Sequence, residues 1–488
     1  MLVSLYTSRV VLNTLGVEDY GTYNVVGGVV TMFGFFNGAM ASATQRFLSF
    51  ELGRNDLVQL RKTFNATQII HIGIAFLIFI LAETIGLWFL NNYLNLPEGR
   101  MEAARWVYHF SVLSFMVSII QVPYNAVILA RERMSVYAYV SILEVILKLI
   151  IVFMLTWIAF DKLKLYGILL FVVSLIVAAI YRIYVLKRYD ETRFQLVKDR
   201  TMYKTLISYS GWNLFGGVAM IAKGQGISIL LNIFFGTVVN AAQGISNQVY
   251  GAINSFVANF QMASNPQIVK SYAAEDTEYM TNLIIRTSKF SFFLLFILTL
   301  PVILEIDVIL KVWLKIVPEY TAAFTILILI NAWVDAFSGP LITAVHATGK
   351  IKNYQIAVGT LFMLNLPVSY VLFKMGFSPV ATFVVNICIT SVTFAFRLLF
   401  TKIQIPDFPV LQFLKEVLIR SIPVVLGSAL IPWIIKINMQ TGLLRLMLVS
   451  IVSIITSLIA VYLIGLRNNE KLFVDNALFG FISKVKWK

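Results

Sequence analysis

Apolar runs of about 20 residues recur along almost the whole 488-residue chain, each long enough to cross roughly 30 Å of hydrocarbon as a helix. Hydrocarbon offers no water to satisfy backbone N–H and C=O groups, so runs of that length leave the helix as the spanning structure. The short alternating segments of a β-barrel do not occur. A mean hydropathy of +0.82 with only 13% charged residues lies outside the range of soluble domains of this size. We therefore expect an all-α polytopic membrane protein of about fourteen transmembrane helices. The spans read as 1–14, 22–43, 65–90, 106–130, 135–160, 165–187, 207–235, 239–265, 287–310, 320–346, 354–374, 379–401, 419–437 and 443–466. The first is too short to cross alone, so its start is expected to be missing or misassigned. No signal peptide is expected, because Met1 opens directly into apolar sequence.

The formal charge of +15 points to membrane topology and away from nucleic acid, since most cations lie in short loops between apolar runs. With the N-terminus cytoplasmic, 27 of the 39 Lys and Arg fall inside, 10 outside, and Lys148 and Lys223 lie mid-span. That bias predicts both termini in the cytoplasm. The single cysteine (Cys388) and three scattered histidines (His71, His109 and His346) offer no disulfide or metal motif. No phosphate-binding glycine loop occurs either. We expect no enzyme, no metal and no cofactor.

Shifting the chain by about 215 to 225 positions aligns it with itself. Pro123, Ala126, Ala130, Arg133 and Tyr137 fall on Pro340, Thr343, Ala347, Lys350 and Tyr354; Pro97-Glu98 falls on Pro318-Glu319, Trp88 on Trp313, Arg182 on Arg397, and Leu12-Asn13 on Leu231-Asn232. The expected organisation is an N-terminal lobe (1–190, six spans), a cytoplasmic linker (191–206) and a C-terminal lobe (207–402, six spans). Two extra spans and a cytoplasmic tail follow (403–488). Parallel repeats of this kind are a transporter architecture.

The stretch Trp212–Asn265 carries the chemistry most out of place in a membrane. Lys223 sits mid-span, where a side chain does not easily snorkel to either surface. Asn240, Gln243, Asn247, Asn254, Gln261 and Asn265 follow at helical spacing, giving one wet face, read as a cavity wall. The equivalent face of span two carries Asn24, Gly28, Thr31, Gly38, Ser42 and Gln45, and reads either as a cavity wall or as a packing seam. Glu144 and Lys148, four apart, can pair with each other or serve a cavity. Lys223 has no acid within a turn; Glu83, Asp335 or a bound anion could answer it. Arg9 either faces the same cleft or anchors an interface, while Arg46, Arg182 and Arg397 are expected to snorkel toward lipid phosphates. Gly216-Gly217 and Gly224-x-Gly226 suit close packing or a bend. The inner loops 46–63 and 266–286 read as interfacial segments, and 187–206 as a flexible strap or a solvated linker.

The run SRVVLNTLGVEDYGTYNVVGGVV with TQRFLSFELGR, and later NAAQGISNQVYGAINSFVANFQMASNPQIVKSY and VWLKIVPEYTAAF, resembles the polysaccharide transporter family. That family includes the O-antigen (Wzx-type) flippases of the multidrug/oligosaccharidyl-lipid/polysaccharide exporter (MOP) superfamily. The resemblance implies two six-helix lobes around a basic central cavity lined by spans 1, 2, 7 and 8, working by alternating access. It also implies a polyprenyl-diphosphate-linked oligosaccharide flipped across the bacterial cytoplasmic membrane for O-antigen, capsule or exopolysaccharide synthesis. Membrane lipids, and possible polymerase and chain-length proteins, are the partners it implies. Arg9, Lys223, Asn24, Thr31, Asn240, Gln243, Asn247, Asn254 and Gln261 are then the substrate candidates, and Glu83, Glu144, Lys148 and Asp335 the ion-coupling candidates. Two rival readings remain: a multidrug or cationic-metabolite exporter of the same fold, and a non-transporting scaffold in a polysaccharide assembly complex.

Overall fold

The computed structural model describes residues 11, 14–31, 34–93, 99–314, 317–472 and 475. Nearly all of the first expected span, including Arg9 and Leu12-Asn13, lies outside the described residues, as do Pro97 and Glu98. Among the described residues there is no strand, and eleven helices are long and apolar enough to cross a membrane. The eighth expected span, which carries amides in place of a continuous apolar surface, is not among the eleven, and the second is described only in two parts.

The chain divides into two compact units, one of residues Met1–Val218 with Val269–Ala274, the other of Ala219–Ile268 with Glu275–Lys488. The first contains α1 (Val17–Thr31), α2 (Gly34–Gly53) and α3 (Leu57–Leu81, continued through a π turn into Leu87–Tyr93), then α4 (Met101–Ala130), α5 (Met134–Trp157) and α6 (Lys162–Arg188). Helix α7 (Arg200–Ala273) breaks at Gly236, whose φ of 82° and ψ of −174° only glycine adopts without strain. The second unit adds α8 (Thr277–Leu304), α9 (Ile306–Leu314), α10 (Thr321–Ala336), α11 (Gly339–Ala347), α12 (Lys352–Lys374), α13 (Ala381–Gln404), α14 (Arg420–Asn438) and α15 (Leu443–Ala460).

The internal repeat is written in the backbone. Left-handed residues recur in pairs: Gly16 with Gly236, Asn55 with Glu275, Gly99 with Tyr320, and Glu132 with Gly349, each pair 217 to 221 positions apart. Each such residue turns the chain between helices, where a positive φ lets it reverse sharply. The turn is then followed by the same cap in both copies. Asp56 accepts from the Gln59 N–H at 2.8 Å and Asp276 from the Tyr279 N–H at 3.0 Å. The stretches 46–63 and 266–286 are therefore helix, sharp turn and capped helix, a tighter structure than the interfacial loops expected from their mixed charge.

Lipid tails give helices no hydrophobic reason to associate, so close packing and polar contacts must hold them. Glycines let backbones approach: a Cβ on Gly167 of α6 would lie 3.3 Å from Val107 Cα of α4, and one on Gly226 of α7 would clash with Leu366 of α12. The packing role expected of Gly226 is thus real. In the first unit Arg100 bridges Asp19 at the start of α1 and Asp161, the N-cap of α6, the latter at 2.7 Å. The 191–206 stretch is stitched down in part. Asn65 of α3 donates to the Arg193 carbonyl at 3.2 Å and accepts from the Gln195 N–H at 2.8 Å, which a loose strap would not do.

The last span and the segment after it are locked to α8 by two buried ion pairs. Lys289 meets Glu470 at 2.5 Å, both almost without exposure, and Glu305, just past the end of α8, meets Arg445 at 2.9 Å. Removing one partner strands a buried charge. Glu470→Ala is expected to cost about 3–5 kcal/mol, and Lys289→Met with Glu470→Leu to restore most of it. Thermal unfolding of the detergent-solubilised chain measures both, and equal losses in single and double variants would contradict the lock. At the other clamp, burial pushes the Asp161 carboxyl up, but the Lys164 N–H and the Arg100 guanidinium outweigh it and hold it below the ordinary aspartate value. Its contribution is therefore complete at neutral pH and lost as pH falls through that depressed range. Asp161→Asn keeps the cap and loses the ion pair, so it should lower stability at pH 7 by at most about 1 kcal/mol, the scale of a partly exposed salt bridge, and flatten the acid limb of the melting profile.

Candidate functional site

Each unit encloses a polar cavity among its own helices. The first unit's is about 440 Å³ and the second's about 540 Å³. They are built at the same positions of the repeat. Tyr23, Gly27 and Val30 of α1 line the first; Asn240, Gly244 and Asn247, each 217 positions on, line the second. Ser111, Ser114, Ser118 and Asn125 of α4 correspond at the same offset to Ile328, Asn331, Asp335 and Ile342. Gly167, Leu170, Ser174 and Tyr181 of α6 correspond, at 216, to Phe383, Asn386, Thr390 and Arg397. The fold thus makes one pocket twice and fills it with different chemistry.

The first cavity is rich in hydroxyls and electrically self-cancelling. The charged residues on its wall among the described ones, Glu144 and Lys148 of α5, bind each other at 2.6 Å across one helical turn. This is the intrahelical pair that their spacing allows, and it lies on the cavity wall. The second cavity keeps a surplus of positive charge. Arg397 of α13, 5% exposed, donates from Nη1 to Asp335 Oδ1 of α10 at 2.8 Å. Lys223 of α7 stands over the Phe362 ring, its Nζ 4.7 Å from the centroid. Two cations and one carboxylate therefore share a space walled by Asn240, Gln243, Asn247, Asn331 and Asn386.

Several expectations change here. Arg397 does not snorkel to lipid; it is buried and held by Asp335, which makes Asp335 its partner and leaves Lys223 without an ion pair among the described residues. Glu83 does not answer Lys223 either. It lies in the π turn Ala82–Gly86 and meets His109 Nδ1 at 2.9 Å. Arg46 is also buried, its guanidinium over the rings of Phe47 and Phe50, both 4.7 Å to the centroid. Arg182 stays exposed.

The amide face of α7 is split by what it meets. Asn240, Gln243 and Asn247 line the cavity, whereas Gln261 donates to Ser291 Oγ at 3.0 Å and Asn265 accepts from Thr343 at 2.9 Å, tying α7 to α8 and α11. Gly339 has no side chain because Gln261 occupies that space. Asn254 is half-buried and outside the cavity lining. Asn24 and Thr31 lie on α1, with side chains outside the described residues, and Arg9 lies outside them altogether; α1 meets the first cavity with Tyr23, Gly27 and Val30. The wall contributed by α4 was missed by sequence reasoning, although Ser111, Ser114, Ser118, Gln121 and Asn125 carry its signal in steps of three and four. Arg397 and Asn386 carry no such signal, since only packing turns them inward.

The fold is that of the MATE transporters of the MOP superfamily. A structure described as the outward-facing conformation of a multidrug resistance MATE family transporter superposes with a TM-score of 0.70 at 12% identity, covering 83% of this chain and 92% of that one. A MOP superfamily transporter from Pyrococcus furiosus gives 0.70 at 11% identity over the same shares, 83% and 92%; its description states that reverse polarity of the binding pocket suggests a different function. A mutant of the Vibrio cholerae MATE transporter VcmN gives 0.68 at 16%, covering 84% and 93%. The MatE family model matches residues 1–154. Curated protein sequences yield no match.

If these cavities are wet within the membrane, cysteines placed in them will meet aqueous reagents. In a Cys388→Ser background, Ser114→Cys and Asn247→Cys should react with a charged hydrophilic maleimide in vesicles, while Ile229→Cys, on an apolar exposed face, should not. No reaction at Ser114→Cys and Asn247→Cys would show the cavities to be dry, and equal labelling at all three positions would show that the reagent does not distinguish them from the lipid-facing surface.

Proposed function

We propose that the chain is a membrane transporter of exporter type working by alternating access, and that its substrate is an anionic, hydrogen-bonding amphiphile, a polyprenyl-diphosphate-linked oligosaccharide. The observation that carries the sign of the substrate is the second-unit cavity, where Lys223 and Arg397 outnumber Asp335 and amides supply the remaining polar wall. Local potential in such a low-dielectric pocket favours an anion. The amides suit sugar hydroxyls, and the prenyl chain would stay in lipid. A scaffold would gain nothing from two buried polar cavities. In this reading the protein sits in a bacterial cytoplasmic membrane with both termini inside, where polymerase and chain-length proteins could meet it.

The comparisons taken alone favour a second reading, a multidrug or cationic-metabolite exporter, since the structures of like fold and the matching model belong to MATE transporters. The Pyrococcus protein supports the first by analogy, being a transporter of this superfamily whose pocket polarity is described as suggesting a different function.

Reconstituted vesicles separate the two. With an imposed ion gradient, wild type should turn over a fluorescent polyprenyl-diphosphate oligosaccharide and leave ethidium unmoved, and Lys223→Ala should slow turnover about tenfold, the loss of roughly one good ionic contact. Ethidium movement without lipid turnover would establish the multidrug reading, and movement of neither would sink both.

A further inference from the structure

The linker between α6 and α7 holds two large apolar side chains away from the rest of the fold. Phe194 is 70% exposed and Leu196 62%, whereas Val197 beside them is buried. From Arg193 to Asp199, both extended, the chain forms no helix, so alternate residues share a face: Phe194, Leu196 and Lys198 lie on the side opposite Val197. This exposure is not that of a loose loop. Asn65, itself only 1% exposed, donates to the Arg193 carbonyl at 3.2 Å and accepts from the Gln195 N–H at 2.8 Å. One buried amide thus grips the backbone on either side of Phe194, much as a neighbouring strand would. The Tyr203 hydroxyl donates to the Val197 carbonyl at 3.1 Å and fixes the far end. Holding a phenylalanine and a leucine in the open contributes nothing to packing, and suits a face that something apolar covers.

Depth and charge identify the cover. Asn65 stands about 12 Å along α3 from Leu57, where the third expected span begins, so the linker bonded to it lies at the level at which the helices leave hydrocarbon. A protein partner would have to displace lipid to reach that level. Residues 187–204 carry six cations and three acids. Each acid is already engaged: Asp190 with Arg193 at 2.8 Å, Glu191 with Arg131, and Asp199 in capping α7 through the Thr201 and Met202 N–H groups. Lys187, Arg188, Lys198, Arg200 and Lys204 are exposed and form no ion pair among the described residues. We infer that the linker is a fixed anchor on an anionic lipid leaflet, with Phe194 and Leu196 seated below the headgroups and these five cations meeting lipid phosphates. Two apolar side chains hold a bilayer weakly by themselves, and each cation beside an anionic surface strengthens the hold about fivefold. The anchor is independent of what the protein transports.

Spin labels on the full-length Cys388→Ser chain test this in vesicles of phosphatidylglycerol and phosphatidylcholine in equal parts. Labels at Phe194→Cys and Leu196→Cys should be reached by membrane-soluble oxygen and shielded from a water-soluble nickel chelate, while labels at Arg193→Cys and Gln195→Cys should show the reverse. That alternation marks an extended segment lying on a bilayer. In phosphatidylcholine alone the shielding at 194 and 196 should be lost. Lys198→Gln, Arg200→Gln and Lys204→Gln together should cause the same loss in the mixed vesicles, since each cation counts for about fivefold. Asn65→Ala should raise the mobility of the label at 194 and blur the alternation. If that variant fails to fold, the three exposed glutamine substitutions still carry the test, because none of the residues replaced is packed in the core. Free access of the nickel chelate to 194 and 196 in both kinds of vesicle would overturn the anchor and leave the face to a protein partner. Shielding that is the same with and without phosphatidylglycerol, or unchanged by the three glutamines, would overturn the anionic leaflet as its partner.

Discussion

A charge placed in hydrocarbon must find a partner or a cavity, and most of what distinguishes this molecule from a plain helical bundle follows from how each charge meets that demand. An unanswered charge at mid-membrane costs about 2.5–3.5 kcal/mol even on the mildest scales. Lys289, fully buried in α8, is answered by Glu470, and Glu305 by Arg445, so the last span is held by electrostatics where apolar contact alone would let it slide. Glu83 is answered by His109 inside a π turn, and Tyr108 caps the same turn by donating to the Ala82 carbonyl at 2.6 Å. Lys223 is an exception among the described residues: it has an aromatic face and a polar pocket in place of an ion-paired acid.

The duplication explains why there are two pockets and why they differ. Helices that recur at an offset of about 217 residues place the same register positions inward in each copy, so the space is inherited while its lining is free to diverge. Serine against aspartate and tyrosine against arginine change the charge of the pocket without changing the backbone that shapes it. The left-handed turns tolerate similar exchange: glycine at 99 stands opposite tyrosine at 320, and glutamate at 132 opposite glycine at 349, because a turn demands a φ and only prefers a residue.

How far the site could be read ahead depends on periodicity. A stripe along one helix is visible as spacing, which is why Asn240, Gln243 and Asn247 were legible as a wall, and why the serines of α4 could have been. Spacing does not say where along its length a face changes neighbours. Gln261 continues the stripe yet faces Ser291, because α7 passes from the cavity onto α8 between Asn247 and Gln261. Pairings between helices distant in sequence were not legible at all: Arg397 with Asp335, Glu83 with His109 and Asn65 with the 193–195 backbone depend on which helices become neighbours.

The sequence by itself determined the helical membrane class and made the amide-lined segment beyond Gly236 legible, because hydropathy and helical period are both local quantities. Tertiary structure alone decided which charges cancel and which remain available. Charge cancellation needs two side chains within about 4 Å, a distance that no single helix encodes when the partners lie on different ones. That is why an arginine expected at the lipid surface proved to be a buried partner of Asp335, and why the surplus charge of the second cavity appears only once α7, α10, α12 and α13 are packed together.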